Sequence, residues 1–265
     1  MGDLFLVQLD SNGFYKKSLL ADGTAKCAFF DKIVYDEGKL YLSARVQGDG
    51  TEMKLGNVLL NLNPDRQTEF LVSVNVSDFS VNYANNLESV SNSSNRFVVQ
   101  NKGAQFMNGK LYFTGLLNGS WKQNGESVIA NPSSNMLKGF ILQIDPFTGI
   151  VEKSAILLNG GISAFFGIYA SSNSLYAYGY DFSKGAILVP INKDTYSLGD
   201  PITVCEYGTV GNAVTPIVDG ESLIMANRGG KARATDNKAK FYGSSFSFSD
   251  MKYWGTVYYS FKINQ

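Results

Sequence analysis

Histidine is absent from all 265 residues. That excludes Ser-His-Asp and Cys-His nucleophilic systems, histidine-containing zinc sites and histidine acid–base chemistry within the chain. Any catalysis would fall to carboxylates, Tyr, Lys or Arg. Cysteine is scarce: Cys27 and Cys205 lie far apart and belong to no CxxC motif. They are expected to be two unpaired, partly buried thiols rather than a disulfide. Net charge is also missing. With 23 basic and 23 acidic residues, no global field draws the chain toward nucleic acid or anionic membrane. No apolar run approaches the roughly 20 residues needed to cross a bilayer. The N-terminus lacks the basic-then-apolar pattern of a signal peptide, so the chain is expected to be cytosolic, or else a mature or trimmed product.

What is present is turn and strand chemistry: 27 Gly, 15 Tyr and 18 Phe, with abundant Ser and Asn. This balance favours aromatic-rich strands joined by many tight turns. The chain also repeats itself. Phe5 to Asp10 aligns with Phe140 to Asp145 at an offset of 135. Lys17-Ser18 then matches Lys153-Ser154, and Ala28-Phe29-Phe30 matches Ala164-Phe165-Phe166, at 136; Leu40-Tyr41 returns to 135 against Leu175-Tyr176. On that alignment Asp31 faces Gly167 in the later copy. Internal duplication is the simplest cause.

Shorter echoes run between these copies. A strand ending apolar–x–apolar–Asp/Asn occurs at Val7–Asp10, Leu60–Asn63, Leu142–Asp145, Val189–Asn192 and Phe261–Asn264. It alternates with a second strand at Leu40-Tyr41-Leu42, Leu111-Tyr112-Phe113, Leu175-Tyr176-Ala177 and Leu223-Ile224-Met225. Like copies recur about every 63 residues, which suits a four-stranded unit. Apolar pairs such as Phe165-Phe166 fit strands packed on both faces. No convincing amphipathic helix is visible. The expected fold is all-β: a β-propeller of four-stranded antiparallel blades, with about five repeats visible or forming part of a larger ring. It is read as one domain, 1–265, with units near 1–22 (partial), 23–76, 97–158, 159–206 and 207–265.

The stretch GFILQIDPFTGIVEKS resembles the third and fourth strands of blades in exported bacterial propellers, including the PQQ-like and seven-bladed repeat families. In those families an Asp-x-x-(Thr)-Gly turn links the same two strands. The tryptophan that usually follows the turn in PQQ-like repeats is absent, and so are the Asp-boxes of sialidases, so the resemblance implies a fold and no cofactor. It also implies an extracellular, periplasmic or cell-surface location, with lipid anchoring through a segment upstream of Met1 as one form of it.

In an up-and-down blade, first-to-second and third-to-fourth turns share one face. That face holds short turns at Asp36-Glu37-Gly38, Asn108-Gly109, Asp219-Gly220 and Asp145 to Gly149. The opposite face is expected to hold long loops at Val46 to Gly56, Val76 to Arg96, Leu117 to Lys138 and Asn227 to about Met251. Long loops on a rigid face are where binding usually sits. Within them Arg228, Lys231 and Arg233, with Lys238 and Lys240, suit an anionic ligand or simply keep a loop soluble. Trp121, amid polar amides, would stack on a sugar or planar ligand, or pack locally. Asp181 and Gly48-Asp49-Gly50 offer oxygens, but no calcium-ligand spacing supports a metal site.

Three functions are open on this sequence. One is a non-catalytic exported module binding a small, anionic or glycan ligand on the long-loop face through Arg228, Lys231, Arg233, Trp121 and Asp181. A second is a protein–protein interaction scaffold. The third is a carbohydrate-active enzyme using paired carboxylates drawn from Asp31, Asp181 and Glu206. The expected partners are a small molecule, a glycan or a protein, not nucleic acid. The chain itself carries no predicted membrane span.

Overall fold

The computed structural model describes residues 5–63, 68–90, 99–130, 136–158, 161–170, 175–206, 217–219, 222–229, 238–241, 244–247 and 255–262. Backbone alone is described for 24–29, 47–50, 99–102, 170 and everything from 205 onward. Among these residues every regular element is a strand.

The first region contains β1 (Phe5–Leu9), β2 (Tyr15–Asp36), β3 (Lys39–Leu55), β4 (Val58–Asn61), β5 (Thr68–Asn75) and β6 (Val81–Val90). Then come β7 (Val99–Met107), β8 (Lys110–Leu117), β9 (Ser120–Gln123), β10 (Glu126–Ala130), β11 (Lys138–Ile144) and β12 (Val151–Ile156). These are followed by β13 (Ser163–Ala170), β14 (Leu175–Asp181), β15 (Gly185–Ile191) and β16 (Ile202–Glu206). The last are β17 (Ile217–Asp219), β18 (Ser222–Gly229), β19 (Lys238–Phe241), β20 (Ser244–Ser247) and β21 (Gly255–Lys262).

They form a succession of antiparallel meanders. The first sheet joins the second half of β2 to β3, β5 and β6. The second is β7-β8-β11-β12, the third β13-β14-β15-β16, and the last has β17-β18-β21. Ahead of them, β1 pairs with the start of β2, so the long strand β2 serves two units.

Pairing registers repeat from sheet to sheet. Leu40, Leu111 and Leu175 face Val74, Ile144 and Ile191 across the second-to-third strand ladder. Bulges recur as well. The first strands of three sheets each carry an extra residue at one position: Asp31, Lys102 and Phe166. Asp31 therefore corresponds to Phe166, not to Gly167. Sequence alignment at the 136 offset slips this strand by one residue, which would exchange its two faces.

The middle strands β5, β8, β11 and β15 are buried almost end to end, as strands covered on both faces must be. Alternate residues feed different cores. Leu42, Phe70, Val72 and Val74 join Leu6 and Leu19 of the β1–β2 hairpin. Tyr41, Leu71 and Leu87, on the opposite face, join Leu111, Phe113, Phe140 and Leu142 of the second sheet. Tyr112 and Ile141 in turn join Phe165, Ile187 and Val189 of the third. Successive sheets thus stack face to face, and their first strands approach closely: a Cβ on Gly103 would lie 2.0 Å from the Phe166 carbonyl oxygen.

Two strand readings change. Leu60-Asn61-Leu62-Asn63 matches the third-strand signature, but the third strand of the first sheet is β5, ending Val72-Ser73-Val74-Asn75. Both segments satisfy apolar–x–apolar–Asn, and only pairing separates them. Val76 to Arg96 is not one long loop either, because β6 occupies Val81–Val90 and completes the first sheet beyond residue 76.

Candidate functional site

The two ends of the meanders differ. At one end the turns are tight: Glu37-Gly38 and Asn108-Gly109 hold positive φ at both central residues, the two-residue hairpin geometry that matches strand twist. The Asp145–Gly149 turn is built by its own side chains. Asp145 accepts hydrogen bonds from the Phe147 amide and the Thr148 hydroxyl, each at 2.9 Å, and the Gly149 amide donates to the Asp145 carbonyl.

At the other end, three of the expected long loops fold into hairpins set between second and third strands. They are the outer half of β3 with β4, then β9–β10, then β19–β20. Each pairs with the fourth strand of the preceding unit. Leu55 and Met53 pair with Ala21 and Gly23, Lys122 and Ser120 with Glu88 and Val90, and Phe241 with Cys205. The third sheet has a tight Asp181–Gly185 turn in this place. Unpaired edges at fourth-strand ends are thereby covered by the next unit.

Trp121 requires a correction. Its side chain is fully buried, with its ring edge-on to Phe140 at 5.0 Å and 77°. Polar neighbours made it read as an exposed ring, but β9 alternates: Trp121 and Gln123 point into the core side while Ser120 and Lys122 are half-exposed. Packing is its role. Asp181 is also fully buried, and its Oδ1 accepts from the Ser183 amide (2.7 Å), the Ser183 hydroxyl (2.5 Å) and the Lys184 amide (3.1 Å). That is a turn-building carboxylate. Asp31, on its bulge, is held by Arg45 at 3.0 Å. Arg228 stands in β18 opposite Thr256. Its side chain lies outside the described residues, as do Lys231, Arg233 and the side chains of Glu206, Cys27 and Cys205.

The hairpin β9–β10 is fixed firmly. Buried Gln123 donates from Nε2 to the Gly149 carbonyl (2.9 Å) and accepts at Oε1 from the Val151 amide (2.8 Å). Ser154 Oγ donates to the Val128 carbonyl at 2.5 Å. So anchored, the hairpin walls two clefts. One, of about 510 Å³, separates it from β12, with Glu126, Ser127, Glu152 and Lys153 along its sides.

The other, of about 450 Å³, opens where β4, β5, β6 and β9 meet. Asn61, Asn63, Thr68, Asn86, Glu88 and Lys122 converge there. Thr68 Oγ1 accepts from the Asn63 amide at 3.3 Å, which shapes the rim. Asn86 Oδ1 is buried without a hydrogen-bond partner among the described residues. Glu88 and Lys122 are register partners, so one acid and one base flank the amides. Among the described residues Glu88 is the one carboxylate of this wall.

No family model and no curated protein matches this chain.

Among the described residues no group of three or more Asp, Glu, His or Cys side chains is placed to hold a metal ion, and no helix is long and apolar enough to cross a membrane. The amide cleft is not visible in the sequence, where Asn61 and Asn63 fit the apolar–x–apolar–Asn strand signature. The available signal was the polar run Asn85-Asn86-Leu87-Glu88-Ser89, whose single buried apolar residue marks a strand with one wet face.

Proposed function

We propose that the stacked four-stranded sheets are blades of a β-propeller, and that the protein is a non-catalytic binding module. Its ligand is a neutral, hydroxyl-rich molecule of sugar type, held in the cleft bounded by Asn61, Asn63, Thr68, Asn86 and Lys122. One observation carries this reading: amides from β4, the segment just after it and β6 converge there, and a buried amide oxygen, Asn86 Oδ1, has no donor among the described residues. Amide groups both donate and accept, as ligand hydroxyls do. A buried acceptor left unmet costs about 1–3 kcal/mol, which a ligand hydroxyl would recover.

The balanced Glu88–Lys122 pair gives no preference for an anion. Glycosidic cleavage uses two carboxylates about 5–10 Å apart, and among the described residues this wall supplies one, Glu88, which supports binding over hydrolysis. An exported location is the proposal that follows from the propeller resemblance and from a sugar ligand.

A thermal-shift panel of mono- and oligosaccharides, organic acids and nucleotides tests this. A ligand at about a hundred times its dissociation constant adds about 2.7 kcal/mol, a visible rise in Tm. The expected result is a shift with neutral saccharides that is lost in Asn86→Ala and Asn63→Ala. A saccharide shift unchanged in both variants, or a shift confined to anions, would overturn the reading.

A further inference from the structure

We propose that the apolar face of the β1–β2 hairpin is a docking surface, and that its occupant is the chain's own last sheet, β17-β18-β21. The argument begins with register. Phe5, Val7 and Leu9 pair with Leu20, Ser18 and Tyr15, with a bulge before the last pair. Phe140, Leu142 and Ile144 pair with Ile156, Ser154 and Val151, with the same bulge. The hairpin is therefore the third and fourth strands of a sheet, superposable in pairing on β11–β12.

Burial separates the copies. Phe5, Val7 and Leu9 are 59%, 41% and 53% exposed, whereas Phe140, Leu142 and Ile144 are 0%, 1% and 0% exposed. Tyr15 and Leu20 extend the open patch, whereas their counterparts Val151 and Ile156 are partly buried against the core. Five apolar side chains on one small hairpin form a contiguous face of the kind that marks an interaction site.

The molecule itself displays what covers such a face. Over Phe140, Leu142 and Ile144 lie Tyr41, Leu71 and Leu87 of the preceding sheet. The opposite side of the β1–β2 hairpin is already occupied, since Leu6 and Leu19 pack on the first sheet. The missing contact is thus a preceding sheet, presented in the orientation that the first sheet presents to the second. One head-to-tail contact repeated in register generates a ring when its rotation closes.

The last sheet carries the matching positions. Its turn pair Asp219↔Ser222 corresponds to Asp36↔Lys39. From there Ile224↔Ser260 falls on Tyr41↔Ser73, and Ala226↔Tyr258 on Ser43↔Leu71. Ile224 and Tyr258 therefore stand where Tyr41 and Leu71 stand. The inference rests on the blade arrangement and is independent of the ligand cleft.

Disulfide trapping tests it. In a chain carrying Cys27→Ala and Cys205→Ala, Val7→Cys is combined with Tyr258→Cys and oxidised mildly. The expected product is a monomer with an intrachain disulfide, seen by intact mass and on a non-reducing gel. Covalent dimers would overturn the intrachain occupant, while the stacking of the first three sheets, and so the blade reading, would stand. Absence of any crosslink would overturn docking altogether. Because the quadruple variant could misfold, hydroxyl-radical footprinting of the unmodified chain provides a second readout. Phe5 should label as slowly as Phe140; labelling as fast as Phe147, which is 76% exposed, would overturn the proposal.

Discussion

At the scale of single residues, one turn position shows how copies diverge without losing their backbone. Gly13, Phe79, Gly149 and Tyr196 each follow an Asp or Asn that accepts their amide, and each has φ between 60° and 84°. Left-handed backbone costs a residue with a Cβ about 1–2 kcal/mol. Phe79 and Tyr196 offset that cost by burying aromatic rings. Gly149 has no such freedom: a Cβ there would meet the Tyr83 ring at 2.3 Å and Asn85 Nδ2 at 2.7 Å. A Cβ on Gly13 would meet nothing within 4 Å. Gly13→Ala should therefore cost about 1–2 kcal/mol in urea unfolding, from conformation alone. Gly149→Ala should cost about 3–4 kcal/mol, because overpacking adds to the strain. Equal losses would mean that Tyr83 and Asn85 yield without cost and do not lock the turn.

At the scale of elements, the inserted hairpins are the feature that gives the molecule its clefts. Gln123 ties β9–β10 to the turn of the second sheet with both ends of one amide. Gln123→Ala should leave the Gly149 carbonyl and Val151 amide unmet, at about 1–3 kcal/mol each if they stay buried. Hydrogen exchange should then accelerate across residues 120–130 while β8 and β11 stay protected. Uniform acceleration would show that the hairpin has no stability of its own to lose.

The all-β class, the strand alternation and the short-turn end were legible because period-two apolar patterns and Asp/Asn–Gly turns are local signals. The hairpins were not. In residues 117–138 polar amides surround Trp121, and composition alone reads as loop. The pairings that make a strand of β9 reach β6, 30 to 34 residues back, and no local pattern announces them. The amide cleft was hidden for the same reason: Asn61, Asn86 and Lys122 meet only through those long-range pairings.

At the scale of the whole molecule, stacking of sheets on both faces buries tyrosine, and this sets the pH range of stability. Burial raises the phenols of Tyr83 and Tyr196 far above their ordinary value, and those of Tyr41 and Tyr112 in the same direction. An unfolded tyrosine ionises near 10.0, whereas the folded ones stay protonated there. The native state then binds more protons than the unfolded one, so stability falls as pH rises past about 10. Tyr83 and Tyr196 each contribute up to about 1.4 kcal/mol per pH unit above that point.

On the acid side, hydrogen bonds from the Phe147 amide hold Asp145 below the usual carboxylate range, and those from Ser80 hold Asp78 there. Their contribution is present above about pH 4 and is lost as pH falls through the depressed values. Both are solvent-accessible, so the acid limb should be the shallower one. The hydroxyls of Tyr83 and Tyr196 have no hydrogen-bond partner among the described residues. Replacing both with Phe should therefore leave stability at pH 7 unchanged or higher, since a buried unmet hydroxyl is removed. It should also move the alkaline unfolding midpoint upward, because two groups that ionise only on unfolding are gone. Urea titrations of the wild-type and double-Phe chains from pH 7 to 11.5 measure both. An unchanged alkaline midpoint would mean that these phenols ionise within the folded sheets, and that the faces around Tyr83 and Tyr196 admit water.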